Sequence, residues 1–268
     1  MSASPYTIVV PAYQAEDTLG ETLDAIQRQT LEDWQCIVVD DASVDGTHDV
    51  ATRAAENDSR IRVLRHAQNR GSGGAYNTGV SAADTQWVIL CSADDILLPS
   101  YLASMSSFVQ SEPGYDIYTS NGYFWFPGKG REAVYSPDVR GSVISLTLAD
   151  VIRCCFYSVG AIYRRGLFDE IGGYREHVFG EDFDFWLRAM AHGARHRYLP
   201  ELLSLHRVSS SQKSSNLEAA YRSDIRLVQE LSTTHALSAA ERLAVGECVQ
   251  ERERSEERRV GKECRSRW

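Results

Sequence analysis

Residues 87–99 read WVILCSADDILLP. An unbroken apolar run, Val88-Ile89-Leu90-Cys91, stops at Ser92-Ala93-Asp94-Asp95. A short continuous apolar run with an abrupt polar end reads as a strand buried on both faces, the pattern of a parallel sheet. In open α/β sheets the ligand crevice lies outside the carboxyl ends of the strands, which is where these two carboxylates would stand. Paired carboxylates there are costly unless something positive binds them. A hard divalent cation carrying a phosphate is the natural candidate, since Mg2+ is held by one or two carboxylates plus phosphate oxygens. A solvated turn accounts for the same dipeptide.

Upstream the pattern recurs. Tyr6–Val10 is a buried strand ended by Pro11, Cys36–Val39 a second ended by Asp40-Asp41, and Ile61–Leu64 a third. Between them lie helical stretches. Thr18-x-x-Glu21 has capping-box spacing, and Leu19, Leu23 and Ile26 follow on one face. Thr47 is placed to cap a helix running to about Asn57. Asn69–Gly79, NRGSGGAYNTG, reads as a glycine-rich loop leading into helix. Past the opening stretch, Pro99 starts a helix with Leu102, Met105 and Val109 on one face. Strands alternating with helices predict a parallel sheet with right-handed crossovers.

Downstream the pattern is less regular. Strands are expected over Asp116–Phe126, Val159–Tyr163 and Tyr198–His206, and helices over Leu146–Val151 and Glu181–His192. Val208–Asn216 is serine-rich, and Leu217–Leu231 and Ala239–Gln250 read as helices. The expected organisation is one α/β domain over residues 1–212, a C-terminal helical extension over 213–250, and a charged, disordered tail over 251–268. Within that tail, residues 255–268 resemble translated adapter sequence and carry no functional argument.

A chain of 268 residues, 43% apolar and 24% charged, is ordinary for a globular protein with a sizeable core. Its net charge of −9 argues against sequence-blind nucleic-acid binding, whose footprint is basic. The six cysteines show no CxxC spacing, and Cys36 and Cys91 fall inside strand runs, which implies a reducing compartment. No signal peptide and no apolar run of roughly 20 residues is evident. The expected location is cytoplasmic, with peripheral contact at the inner face of a membrane left open.

Three clusters carry chemistry. A carboxylate at Asp40-Asp41 can accept from the ring N–H of uracil, thymine or guanine; cytosine and adenine offer an acceptor there, and a buried group left unpaired costs about 1–3 kcal/mol. A turn followed by a helix cap fits the same residues. The loop at Asn69–Gly79 would let backbone approach a phosphate, though it lacks the final glycine of a dinucleotide fingerprint. Gly180-Glu181-Asp182 opens the helix bearing Trp186 and Arg188. A helix N-terminus stabilises a carboxylate as the anion, which suits a general base and equally suits a simple cap.

In order, PAYQAEDTL, IVVDDASVDGT, NRGSGGAYNTG, SADDILLP and GEDFDFWLRAMAHG resemble the motifs of the family 2 glycosyltransferases, over residues 5–212. Ala161–Tyr174, AIYRRGLFDEIGGY, is similar to the family's stretch before its ED motif. The resemblance implies a GT-A fold, Rossmann-like, with a mostly parallel central sheet flanked by helices. It implies that Pro11, Tyr13 and Glu16 line the nucleotide pocket, that Asp41 or Asp40 reads the base, and that Asn69 and Arg70 lie beside the nucleotide. Asp94 matches the DxD motif and would bind the divalent metal, Mn2+ or Mg2+, and the ribose-diphosphate. Asp182 matches the catalytic base, and Asp95, Glu181 and Trp186 would contact donor or acceptor sugar. His206, with Ser209, resembles a late His motif that ligates metal or touches the diphosphate.

Two positions depart from the family: Ser92 replaces the first Asp of DxD, and Tyr76 stands where Arg is frequent. The implied activity is inverting transfer from a nucleotide-diphospho-sugar, UDP-sugar foremost, to a glycan or lipid-linked acceptor hydroxyl. Tyr123, Phe124, Trp125 and Phe126 would form a platform for acceptor sugars or simply pack in the core. The serine-rich loop would be a lid. Two rivals are a catalytically inactive nucleotide-sugar-binding module and a nicotinamide-dependent oxidoreductase. Oligomeric state is open.

Overall fold

The computed structural model describes residues 5–133, 142–154, 159–209 and 216–265. Its frame is set by β1 (Tyr6–Ala12), β2 (Gln35–Asp40), β3 (Ile61–Arg65) and β4 (Trp87–Leu90), with α1 (Leu19–Gln27), α2 (Thr47–Asn57) and α3 (Gly71–Ser81) between them. These strands pair in parallel in the order β3-β2-β1-β4, with Val9 opposite Ile37 on one side and Leu90 on the other. All four residues of β4 are buried, because helices cover both faces and side chains alternate between them. Val9 joins the core under α3, whereas Tyr6, Ile8 and Val10 join the core under α1.

Beyond β4 the sheet changes character. It continues through β9 (Ile162–Arg164), β6 (Ile117–Phe126), β10 (His196–Arg207) and β5 (Ile96–Leu97), with β7 (Gly130–Ala133) on β6 and β8 (Ile144–Leu146) on β10. The short strand β9 inserts antiparallel to both β4 and β6. Among the described residues, four pairings are parallel and five antiparallel. The parallel core expected from sequence is present in β3-β2-β1-β4, and the antiparallel pairings are added from β4 outward. Because β9 runs against both neighbours, β6 again runs with β1 and β4. Its C-terminal end reaches the same edge as Ser92–Asp95.

The remaining helices are α4 (Tyr101–Ser111), α5 (Leu148–Cys154), α6 (Arg165–Glu170), α7 (Glu181–Ala191), α8 (Leu217–Thr234) and α9 (Ala239–Arg265). Leu227, Val228 and Leu231 of α8 and Ala244 and Cys248 of α9 share one core with Phe183, Phe185 and Leu187 of α7. Helix α9 does not stop at Gln250 but runs on to Arg265, through a stretch rich in the good helix formers Glu, Arg and Lys. Arg252 ties its outer part to Asp224 of α8 at 3.2 Å. Among the described residues no helix is long and apolar enough to cross a membrane.

Local signals were obeyed unevenly. Thr18 stands at the N-cap of α1 but makes no side-chain cap bond, and Glu21 reaches instead to Arg207. Thr47 is the first residue of α2 rather than its cap; its N–H donates to Asp45 Oδ1 at 3.1 Å. The glycine-rich stretch is helix α3 itself. A Cβ on Gly79 would lie 2.4 Å from Val9 Cγ1, so this glycine lets the helix lie against β1.

Candidate active site

The loops leaving β1 and β2 are fastened to each other. Gln14 N–H donates to Ser43 Oγ (3.1 Å), Val44 N–H to Gln14 Oε1 (3.0 Å), Ala15 N–H to Thr47 Oγ1 (2.7 Å) and Gly46 N–H to Glu16 Oε2 (2.6 Å). Gln14 and Ala42 take left-handed backbone conformations (φ 51° and 63°), as does His177 ahead of α7 (φ 62°). Non-glycine residues held in this region cluster at functional sites. Pro11 is half-buried at the base of this rim, and Tyr13 projects from it with 53% of its surface exposed.

The two aspartates at the end of β2 have different tasks. Asp40, read from sequence as a base contact alongside Asp41, is fully buried. Its Oδ1 accepts the Ser43 N–H at 2.9 Å, and Arg65 Nε and His48 Nδ1 lie 3.0 and 3.4 Å from Oδ2. It closes the turn and is consumed by that role. Asp41 Oδ1 accepts from the Arg70 backbone N–H (2.9 Å) and faces His66 Nδ1 (2.6 Å). Asn69 turns inward on its own loop: its Nδ2 donates to the Asp41 carbonyl (3.3 Å) and its Oδ1 accepts from Gly71 (3.1 Å). The Arg70 guanidinium pairs with Glu176.

At the end of β4, side chains alternate: Ser92 and Asp94 are half-buried, Ala93 and Asp95 buried. Asp95, expected to face a sugar, is instead a brace. Its Oδ1 accepts the Arg207 N–H (3.0 Å) and lies 3.0 Å from His206 Nδ1, while its carbonyl accepts from Thr22. Arg207 clasps the Asp94 carbonyl with Nε at 3.0 Å and lies over the Trp125 ring at 4.2 Å. Ser92 lies near the Tyr76 phenol and acts to lower its pKa. The two departures from the family pattern are thus neighbours. Burial first, then Asp182 and Glu181, hold the Tyr76 hydroxyl well above its ordinary range, and Ser92 offsets only part of this. Tyr76 therefore stays a neutral O–H donor.

Helix α7 starts from Gly180 in the left-handed conformation, which only glycine adopts without strain. The segment leading to it is anchored on several sides. Asn77 of α3 exchanges two bonds with the Tyr174 backbone (2.9 and 2.8 Å). Arg188 reaches back to the carbonyls of Ile171 and Gly173 (2.8 and 2.7 Å), and Ser223 to that of Phe179 (2.5 Å). Asp182 is half-buried in the first turn, its Oδ1 accepting the Phe183 N–H at 2.8 Å. Glu181 is 9% exposed and bonds Ser72 of α3. Trp186, expected at a sugar, is 3% exposed and packs edge-on to Tyr163 and Phe185. Four residues past Asp182 its ring falls on the core stripe of the helix, so it is a packing residue.

His206 reports how these parts meet. Burial lowers its imidazole, but Asp95 foremost, then Asp94 and Asp182, more than offset this and raise it above the ordinary histidine value. Carboxylates from the end of β4 and from α7 thus act on one ring of β10. Among the described residues no three His, Cys, Asp or Glu side chains form a ready metal cage. The groups that could hold a cation here are the Asp94 carboxylate and His206, whose Nδ1 lies 3.0 Å from Asp95 Oδ1, an arrangement of the kind that orients metal-binding imidazoles. One carboxylate and one imidazole suit a cation whose other ligands are diphosphate oxygens.

Tyr123, Phe124, Trp125 and Phe126 of β6 are half-buried, and Phe124 stands edge-on to His206, ring centroids 5.8 Å apart. They border the same edge as the carboxylates. A separate hollow of about 430 Å³ is lined by Leu64, Arg70, Asn77, Thr78, Ser81 and Ala82, and none of Asp94, Asp182 or His206 lines it. Most of the serine-rich loop expected as a lid, 210–215, lies outside the described residues. Sequence reasoning missed His66 and Arg207. His66 follows β3 as Asp41 follows β2, so the strand-end rule that found one would have found the other.

A family model for glycosyl transferase family 2 matches residues 7–172. The uncharacterized glycosyltransferase YwdF of Bacillus subtilis (strain 168) is 30% identical over 190 residues, 68% of this chain and 67% of its own length. The PGL/p-HBAD biosynthesis glycosyltransferase of Mycobacterium bovis (strain BCG / Pasteur 1173P2) is 30% identical over 200 residues, 72% of this chain and 73% of its own. Of two further relatives the match spans 60% and 56% of the length. Residues 1–349 of S. aureus TarS, solved in complex with UDP-GlcNAc, share the fold: TM-score 0.76 over 93% of this chain and 72% of that one, at 20% identity. With more than half its length matched and a mixed sheet flanked by helices in the GT-A arrangement, the chain belongs to glycosyl transferase family 2.

Proposed function

We propose that this protein transfers a sugar from a nucleotide-diphospho-sugar, UDP-sugar foremost, to an acceptor hydroxyl, with inversion at the anomeric carbon, in glycan or polysaccharide assembly. The observation that carries this reading is that Asp95 Oδ1 lies 3.0 Å from His206 Nδ1, with Asp94 and Asp182, from two separate elements, acting electrostatically on the same imidazole. The UDP-GlcNAc bound by TarS supports a uridine donor here.

In this reading the nucleotide lies along the rim formed by Pro11, Tyr13, Glu16 and Asn69, with Asp41 accepting from the base. The diphosphate lies by Asp94 and His206, and these two residues would hold the divalent cation, Mn2+ or Mg2+, which when bound would supply positive charge against the leaving diphosphate. The Tyr76 hydroxyl, kept neutral, adds a donor to the same end of the site. Asp182 takes the proton from the acceptor hydroxyl as its oxygen attacks the anomeric carbon from the face opposite the nucleotide. The helix N-terminus keeps that carboxylate ionised, as a general base requires. Glu181 stands next to it for the donor or acceptor sugar. The half-exposed aromatics of β6 give the acceptor glycan, free or lipid-linked, a surface for its rings.

The test is hydrolysis and transfer with a panel of UDP-, GDP- and dTDP-sugars, with and without Mn2+, for the wild type and Asp182→Asn. The expected result is cation-dependent turnover that falls by roughly 10²–10⁴-fold in Asp182→Asn, with UDP binding intact. Turnover unchanged in Asp182→Asn overturns the assignment of the base. Nucleotide binding without turnover in the wild type favours the inactive binding module instead.

A further inference from the structure

Asp41 is held lopsidedly. Both hydrogen bonds to its carboxylate converge on Oδ1, one from His66 Nδ1 at 2.6 Å and one from the Arg70 backbone at 2.9 Å. Among the described residues none reaches Oδ2. A carboxylate is an acceptor only, so Nδ1 carries the proton of the first bond. The His66 ring is gripped at its other end too, its Nε2 lying 2.8 Å from Thr78 Oγ1 of α3. Thr78 Oγ1 in turn accepts from Arg70 Nη1 at 3.4 Å, and the Arg70 guanidinium pairs with Glu176 in the segment before α7. The His66 side chain is 8% exposed, so water does not compete freely for either nitrogen.

We infer that His66 is a positioning residue for base selection: by occupying Asp41 Oδ1 from a ring clamped against Thr78, it fixes the carboxylate so that Oδ2 alone faces the nucleobase. The terminal torsion of an aspartate is soft, and an unclamped carboxylate turns to offer either oxygen. A clamped one offers a single acceptor in one direction. That arrangement accepts a ring N–H, as in uracil, thymine or guanine, and leaves a ring nitrogen acceptor, as in cytosine, facing a negative oxygen. Thr78 is the outer support, and Arg70 links the clamp to the segment that carries Asp182. This inference rests on the reading that Asp41 faces the base.

The experiment measures UDP and CDP binding by calorimetry, together with donor KM and kcat, for the wild type, His66→Leu, His66→Asn and Thr78→Val. Asparagine keeps an N–H donor near the position of Nδ1, whereas leucine removes it. The expected wild-type preference for UDP over CDP is tenfold or more, collapsing by roughly tenfold in His66→Leu. The change should fall on donor KM rather than kcat, with most of the preference restored in His66→Asn and a smaller loss in Thr78→Val. If His66→Leu does not fold, the Asn and Val variants decide. A wild type that binds UDP and CDP equally overturns the base-reading role of Asp41 and this inference with it. A wild type that discriminates, with variants that discriminate as well, overturns the role of His66 alone, as does a loss confined to kcat.

Discussion

The two sides of the cleft are built in opposite ways. On the nucleotide side, polar atoms of neighbouring loops saturate one another: Gln14 with Ser43 and Val44, Ala15 with Thr47, Glu16 with Gly46. These contacts join stretches about thirty residues apart, and they leave a rim that is set before any ligand arrives. On the other side the residues are fastened from behind. Asp95 and Glu21 brace β10 through Arg207, and Asn77, Arg188 and Ser223 anchor the segment before α7. The surface in front, Tyr123–Phe126 with Asp182, stays half-exposed. In the proposed function the prebuilt rim would take the nucleotide and the open aromatic face the acceptor.

The contrast breaks if Trp186 belongs to the open face. Trp186→Ala should lower unfolding stability by about 3–5 kcal/mol, the usual cost of emptying a buried aromatic site, as read from the urea midpoint. An unchanged midpoint with altered sugar preference would return Trp186 to the site. A smaller effect sharpens the contrast. Phe124→Ala should raise acceptor KM only severalfold, in keeping with the roughly 0.5–1.5 kcal/mol of an aromatic contact, and leave UDP affinity as it was. If UDP affinity falls by as much, Phe124 serves the nucleotide side and the division drawn here is wrong.

β2 and β4 were legible as apolar runs ended by Asp or a polar break; β1 runs on through Pro11 to Ala12 instead of stopping there, and β3 carries Arg62 between Ile61 and Val63 and was the weaker signal. The mixed half was not legible. β9 is three residues long and shows no period, so its reversed direction could not be read. The glycines of α3 read as a loop whose backbone approaches a phosphate, whereas Gly79 serves a close approach to Val9. The paired aspartates show the limit most clearly. Successive side chains leave a strand on opposite sides, so of two adjacent carboxylates at a strand end only one can face a ligand. Asp40 and Asp95 turned to Arg65 and His206; Asp41, just as buried, is held by His66 and the Arg70 backbone, and Asp94 is half-buried. Sequence shows the pair but not the parity. Nor could it show that Ser92 and Tyr76, two separate departures from the family pattern, are neighbours.

The most direct measurement is a crystal structure of the protein with UDP and Mn2+. The account predicts the uracil ring N–H on Asp41 Oδ2, the diphosphate and cation between Asp94 and His206, and the Asp182 carboxylate facing the vacant sugar position. Nucleotide bound elsewhere, for instance in the hollow beside Leu64 and Ala82, or bound with its diphosphate remote from Asp182, would contradict it.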